Sequence, residues 1–215
     1  MHALSKRKAT PEEYLESERQ AATKSEYLAG EIHALAGASE RHNLIAINAA
    51  YLLVGQLKGR PCKTYSNDMR VKVDFSGLYT YPDVVVVCGK PQFEDRNLDT
   101  LLNPTVLIEV LSESTAAYDR GSKAEHYRTL PTLNDYLLID QNTVHIERYQ
   151  RQTEEQWLFS DYRSLDATVR LDSIACHLPL SELYDKVDWP EESERKSMLR
   201  LVKEPPPEWI TEPVG

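Results

Sequence analysis

Three short segments of this chain are almost continuously apolar: Asp83-Val-Val-Val-Val-Cys88, Thr105-Val-Leu-Ile-Glu-Val-Leu111 and Asp135-Tyr-Leu-Leu-Ile-Asp140. A strand wetted on one face alternates apolar with polar residues. Strands that do not alternate are covered on both faces, so these three predict the middle of a sheet packed between two layers. Everything else in the chain has to supply those layers.

The flanking segments read accordingly. Thr10-Pro-Glu-Glu13 carries an N-cap threonine, a proline at the first helical position and a glutamate three residues on, which predicts a short helix through Glu18. Glu26 to Leu35 predicts two strands folded about Ala29-Gly30. From Ser39 to Lys58, Leu44, Ile45, Ile47, Leu52, Leu53 and Leu57 recur mainly at helical spacing, and Gly59-Arg60-Pro61 ends the pattern. Cys62 to Tyr65 and Met69 to Asp74 predict strands; in the second, Met69, Val71 and Val73 alternate with Arg70, Lys72 and Asp74, implying one wet face. Gly89 to Asn103 reads as a polar loop, and Ser122 to Leu130 as a helix stopped by Pro131. Strands are expected at Thr143 to Gln150, Gln156 to Asp161 and Ala167 to Leu171, then a short helix from Leu180 to Val187. With 215 residues, one domain over 1–187 is the expectation. Residues 188–215, broken by Pro190, Pro205, Pro206, Pro207 and Pro213, read as a Pro-rich tail that packs Trp189 or Trp209 on the body or on a partner subunit.

Charge and cysteine content narrow the function. Lys and Arg number 25 against 34 Asp and Glu, a net charge of −9, which excludes a basic module that holds DNA by neutralising phosphates along a broad face. Cys62, Cys88 and Cys176 form no Cys-x-x-Cys pair, which disfavours a disulfide framework and a cysteine zinc site and fits a reducing cytoplasm. No signal peptide is evident, and no stretch approaches the roughly 20 apolar residues that span a bilayer. There is no phosphate-binding Gly-rich loop, no dinucleotide fingerprint, no Gly-x-Ser-x-Gly elbow and no helical His-x-x-x-His pair.

Against that background Glu109 is the anomaly. Alternation puts Leu107, Glu109 and Leu111 on one face of its strand and Val106, Ile108 and Val110 on the other. A carboxylate there needs a cation, a metal or several donors; a buried salt bridge or a strand exposed on one face is the blander reading. Asp83 opens the Val84–Val87 run after Tyr81-Pro82. Alone it is a turn aspartate. With Glu109 it makes a pair of hard oxygen ligands on neighbouring strands, suited to Mg²⁺ or Mn²⁺. Asp119, Lys123 and Tyr127 share a helix face at i, i+4 and i+8, where Lys123 would orient a water or neutralise a phosphate, or else be a surface lysine paired with Asp119. Glu31 is either a third acid or a solvated hairpin residue. His42 is either a phosphate contact or an ordinary structural histidine.

Taken together, Tyr27-Leu-Ala-Gly-Glu-Ile32, Arg-His-Asn-Leu-Ile at the head of the long helix, Tyr-Pro-Asp-Val-Val-Val-Val, Leu107-Ile-Glu-Val-Leu-Ser-Glu-Ser-Thr115, Asp119-x-x-x-Lys123-x-x-x-Tyr127 and Asp135-Tyr-Leu-Leu-Ile-Asp140 resemble a restriction-endonuclease-like family. That family occurs in many paralogous copies in some bacterial genomes and belongs to the PD-(D/E)XK nuclease superfamily. The likeness covers about residues 10–187. It implies an α/β (α+β) fold with a mixed central β-sheet flanked by helices, a divalent metal, and DNA phosphodiester hydrolysis, usually by homodimers. Asp83 matches the Pro-Asp acid and Glu109 the second acid, while Leu111 stands where a lysine is expected. Lys123 matches the family's downstream lysine, and Glu31 its Gly-Glu element. The resulting expectation is a Mg²⁺-dependent endodeoxyribonuclease in which Asp83 and Glu109 hold the metal, a metal-activated water attacks phosphorus and Lys123 assists; Glu31, His42 and Tyr127 are accessory. The alternatives are a catalytically inactive nuclease fold serving as a binding or assembly module, and a regulatory protein recruiting partners through Trp209 and the proline run. Between Glu94 and Asp119 six acids face only Arg96, so DNA association is expected to be weak and metal-dependent.

Overall fold

The computed structural model of the chain describes residues 8–189. Its centre is a six-stranded mixed sheet in the order β11-β10-β9-β8-β6-β3. The strands are β3 (Cys62–Ser66), β6 (Val84–Cys88), β8 (Val106–Leu111), β9 (Asp135–Asp140), β10 (Ile146–Arg151) and β11 (Trp157–Tyr162). The three apolar segments are its three middle strands, and every residue of β8 is buried. Strand β8 runs parallel to β9, and the other pairs are antiparallel. A parallel pair needs a crossover, and the chain between β8 and β9 supplies it as α3 (Ala116–Tyr118), a π turn over Asp119–Lys123 and α4 (Ala124–Arg128).

One face of this sheet is covered by α2 (Glu40–Leu57), the hairpin of β12 (Thr168–Leu171) with β13 (Cys176–Pro179), and α5 (Leu180–Leu183). Helix α2 begins at the N-cap Ser39, whose hydroxyl accepts the His42 N–H at 3.2 Å. Its Ile45, Ala49, Leu53 and Leu57, four residues apart, pack on Val84, Val86, Val106, Ile108 and Val110. The opposite face is covered by the crossover and by a second sheet, β2-β1-β5-β4-β7. Its strands are β1 (Ser25–Leu28), β2 (Glu31–Ala34), β4 (Arg70–Val73), β5 (Leu78–Thr80) and β7 (Thr100–Leu101). Val71, Val73, Leu78 and Leu101 from this sheet meet Val85, Val87, Leu107, Leu111 and Tyr127. Helix α1 (Pro11–Glu18), with the expected capping box, closes a tyrosine cluster of Tyr14, Tyr27 and Tyr79.

Several expectations need correction. Strand β4 has no wet face, because Arg70 is buried and spends its guanidinium on Thr100, Tyr81 and Asp99. The polar stretch 89–103 contains β7, drawn into parallel pairing with β4. Strands β5 and β13 lay in segments without a clear alternation. The expected helix 122–130 is helical from Ala116, interrupted where Gly121 takes φ −97° and ψ −108°. Cys62 and Cys88, placed opposite each other by the β3–β6 register, form a disulfide, and Cys176 is buried and free. Sequence separation hid that pairing, since the two cysteines stand 26 positions apart and only the strand register brings them together. Three of the six acids counted between 94 and 119 are structural: Glu94 pairs with Lys72, and Asp95 and Asp99 with Arg19. The tail from residue 190, with Trp209, lies outside the described residues. Trp189 does pack on the body, against Tyr184, with its indole N–H donating to the Gln141 carbonyl at 3.0 Å. Among the described residues no helix is long and apolar enough to cross a membrane.

Because Leu53 is fully buried where α2 packs on the sheet, Leu53→Ala is expected to lower unfolding free energy by about 3 kcal/mol with an unchanged denaturant slope, measured by urea titration.

Candidate functional site

Glu109 points from β8 into the side of the sheet that the crossover and the second sheet cover, as its neighbours Leu107 and Leu111 do. Two groups from the crossover meet its Oε1. Lys123 Nζ lies 3.1 Å away, and the Tyr127 hydroxyl donates to the same oxygen at 2.7 Å. The Lys123 ammonium also lies 2.9 Å from Glu26 Oε1 on β1 and 3.3 Å from Asp119 Oδ1 one turn back. All four charged side chains are at least nine-tenths buried, with exposures of 4–8%. Lys123 is therefore no surface lysine, although it does make the i, i+4 pair with Asp119. Through the π turn and its break at Gly121, Asp119 and Lys123 stay on one face and are both buried.

The Thr80 hydroxyl donates to the same Glu26 oxygen, Oε1, that Lys123 meets, and Thr80 Oγ1 lies 3.4 Å from the Tyr127 hydroxyl. Five side chains from five elements thus lie side by side: Thr80 on Glu26, Glu26 and Glu109 on Lys123, and Tyr127 on Glu109. Asp83 flanks them at the head of β6. Its Oδ2 accepts the Val110 N–H at 2.7 Å, and its Oδ1 lies 2.8 Å from His42 Nε2. The N-cap Ser39 hydroxyl donates to Gln141 Oε1, and Gln141 donates to the Leu111 carbonyl at 2.9 Å, which pins the start of α2 and hence His42 against the end of β8.

The electrostatics are lopsided. Burial pushes the Glu109 carboxyl up to about 8, against the Lys123 ammonium and with added push from Asp119 and Asp83. For Lys123 burial opposes the charge, but Glu109, Glu26 and Asp119 outweigh it and hold the amine well above its ordinary range. Burial likewise raises Tyr127 well above the usual phenol and Tyr118, whose ring centroid is 5.5 Å from Lys123 Nζ, to about 12. Three acids, Glu26, Glu109 and Asp119, share one ammonium, Asp83 lies nearby on His42, and the buried Asp119 Oδ1 has no hydrogen bond. Such a donor set, short of positive charge and made of oxygens, fits a hard divalent cation. Among the described residues no three of His, Cys, Asp and Glu converge on one point. The protein would thus give one or two carboxylates and leave the remaining positions to water and phosphate, the usual manner of Mg²⁺.

The structure brings together Asp83, Glu109, Lys123, His42 and Tyr127. It does not bring in Glu31, which is 65% exposed at the β1–β2 hairpin with its carboxylate 3.7 Å from His33. The third acid near Lys123 from this hairpin is Glu26. The sequence signal for it was faint: Glu26 and Tyr27 are adjacent and both buried, on opposite faces of a strand whose two sides are each covered.

The family described as "Putative restriction endonuclease" (Uma2) matches residues 11–181. Two uncharacterized proteins of Synechocystis sp. (strain ATCC 27184 / PCC 6803 / Kazusa) are similar over most of their length. One, sll1609, is 40% identical over 160 residues, 74% of this chain and 90% of the relative. The other, slr1290, is 34% identical over 177 residues, 82% of this chain and 92% of the relative. The fold is similar to the crystal structure of a "putative nuclease" from Anabaena variabilis ATCC 29413, with a TM-score of 0.66 and 20% identity over 81% of this chain and 96% of that one.

A pH dependence follows from Glu109. Its folded pKa of about 8 lies above its ordinary 4.5, so the fold favours the neutral carboxyl. The stability this contributes is present in full below about pH 4.5 and is lost as pH rises through about 8. Lys123, raised above its ordinary value, does not change charge in that window. In EDTA the Tm is expected to fall from about pH 4.5 to about pH 8 and to level off above that, and Glu109→Gln is expected to flatten that fall, both read by thermal denaturation across a pH series.

Proposed function

The chain belongs to the Uma2 family, and we propose that it is a metal-dependent endodeoxyribonuclease that hydrolyses DNA phosphodiester bonds. The observation that carries this reading is the Lys123 ammonium 3.1 Å from Glu109 Oε1. It restores, from the crossover, the acid and lysine juxtaposition that Leu111 cannot make within β8. In this reading Asp83 and Glu109 would hold Mg²⁺ or Mn²⁺. When bound, such an ion supplies Lewis-acid polarisation of the phosphate and of an attacking water.

The protein's own residues do the positioning. The Tyr127 hydroxyl fixes Glu109 Oε1, while the Val110 N–H and His42 fix the two oxygens of Asp83. Lys123 places a fixed positive charge beside Glu109, where it orients a water and offsets the charge that builds on phosphorus oxygens. An excess of acids around one ammonium repels DNA unless a divalent ion joins them, which supports weak, metal-dependent association.

A second reading has its own observation. Leu111 is packed into the apolar cluster, and Asp83 and Glu109 are each engaged by protein groups, an arrangement a non-catalytic binding module would also retain.

One set of assays separates the two. With Mn²⁺ or Mg²⁺ the protein is expected to nick plasmid DNA, and Asp83→Ala and Glu109→Gln are each expected to lower the rate about 100-fold with native circular dichroism. Failure to cut plasmid or single-stranded DNA, together with no metal binding by calorimetry, would overturn the nuclease reading. Tight DNA binding in EDTA at physiological salt would contradict the metal dependence.

A further inference from the structure

Lysine 123 reaches Glu109 from an unpromising place. A lysine at position 111 would be fixed by the backbone of a central strand. Lys123 instead leaves a π turn broken at Gly121, on a four-carbon stem with about 2 kcal/mol of rotamer entropy. Something other than backbone has to fix its ammonium. Of its three carboxylate contacts Glu26 is the shortest, at 2.9 Å against 3.1 Å for Glu109 and 3.3 Å for Asp119. Glu26 is also the one anchored outside the crossover and β8. It belongs to β1, paired with β2 on one side and with β5 on the other, and takes the Thr80 hydroxyl. Asp119 shares the π turn with Lys123 and moves with it.

We propose that Glu26 is a positioning residue that clamps the Lys123 ammonium at the site, so that the second sheet does for this lysine what the strand backbone would do for one at position 111. The inference rests on the nuclease reading above for its catalytic consequence, but not for the clamp itself. If Glu109 turns toward a divalent ion, Glu26 is the contact that keeps Lys123 from following or withdrawing. Thr80 takes part indirectly, by donating its hydroxyl to Glu26 Oε1.

The test uses the full chain with two substitutions. Glu26→Gln keeps an oxygen for the Thr80 hydroxyl and removes the charge that holds Lys123. Thr80→Val removes the hydroxyl and leaves the Glu26 charge, and it serves if Glu26→Gln does not fold. In Mn²⁺-dependent plasmid cleavage Glu26→Gln is expected to lower kcat about 10- to 100-fold, with the half-saturating Mn²⁺ concentration unchanged within about twofold. Thr80→Val is expected to move kcat the same way by less, and Glu26→Asp to recover part of the loss. A second measurement needs neither metal nor activity. In EDTA, amine acetylation followed by peptide mass spectrometry is expected to label Lys123 about 10-fold faster in Glu26→Gln than in the wild type, with Lys72 unchanged as the internal reference. Unchanged kcat, or unchanged Lys123 labelling in a folded Glu26→Gln protein, would overturn the clamp. So would a rise of more than about 10-fold in half-saturating Mn²⁺, which would make Glu26 a metal ligand instead. If the wild type itself does not cleave DNA, the nuclease reading fails and the labelling result still decides whether Glu26 holds Lys123.

Discussion

One buried ammonium shared by three buried carboxylates is the constraint around which this molecule is arranged. The contrast with Asp135 shows how unusual the sharing is. Asp135, fully buried on β9, has a guanidinium of its own: Arg148 donates to it through Nε at 2.8 Å and Nη2 at 2.6 Å, and the Ser173 hydroxyl takes the other oxygen. That is a satisfied structural pair of the kind that merely has to avoid an uncompensated charge. Around Lys123 the same requirement is met only partly, with Glu26, Glu109 and Asp119 drawing on a single cation and Asp119 Oδ1 left without a hydrogen bond. Stability alone would not favour such an arrangement, since a buried charge network can often be replaced by apolar groups at no loss. Such a network in the middle of an otherwise dry layer is what supports the proposal that the site serves chemistry.

The scaffold makes that arrangement possible because it fixes each participant from a different direction. The six-stranded sheet gives Glu109 a rigid origin with both faces covered. The parallel step from β8 to β9 obliges the chain to cross over that same face, so Lys123 and Tyr127 arrive above Glu109 without any long loop. The second sheet brings β1 and β5 in from the other side, with Glu26 and Thr80. Meanwhile α2, on the far face, reaches round the end of β8 with its first turn only, where His42 meets Asp83. The two layers that bury the sheet are thus also the two layers that fix the site.

Much of this was legible in the residues. Unbroken apolar runs identified the middle strands, helical periodicity identified α2, and a glutamate inside an apolar run stood out because burial of a lone carboxylate is costly. Asp119, Lys123 and Tyr127 were readable as one face because their spacing survives the π turn well enough to keep them together. What escaped had no local signature. Glu26 looked like an ordinary strand residue, since only the docking of the second sheet onto the first buries it beside Lys123. Arg70 looked solvent-facing, since its partners Tyr81 and Asp99 come from separate segments. The Cys62–Cys88 pairing depends on the β3–β6 register, which no composition count contains. The acids at 94, 95 and 99 were counted as free charge near the site, and tertiary contacts with Lys72 and Arg19 give them a different role.

The lysine's change of position has a structural logic that the packing of Leu111 makes visible. On β8, position 111 faces the same layer as Glu109, and there the side chain packs with Leu107, Leu138 and Tyr127 in a dry cluster. An ammonium at that point would sit two residues from Glu109 on the same face, but it would put a charge in the place of Leu111 within the apolar cluster, and burying charge in a dry core is costly. Supplying the charge from the crossover separates two demands that otherwise compete within one strand. Strand β8 keeps an apolar residue for the core, while the crossover delivers the cation at the one place where several carboxylates await it. The same separation transfers the burden of precision from backbone to side chains. A lysine set in a strand inherits its position, whereas one on a kinked turn must be held by what surrounds it, here Glu26 steadied by Thr80 and Glu109 steadied by Tyr127.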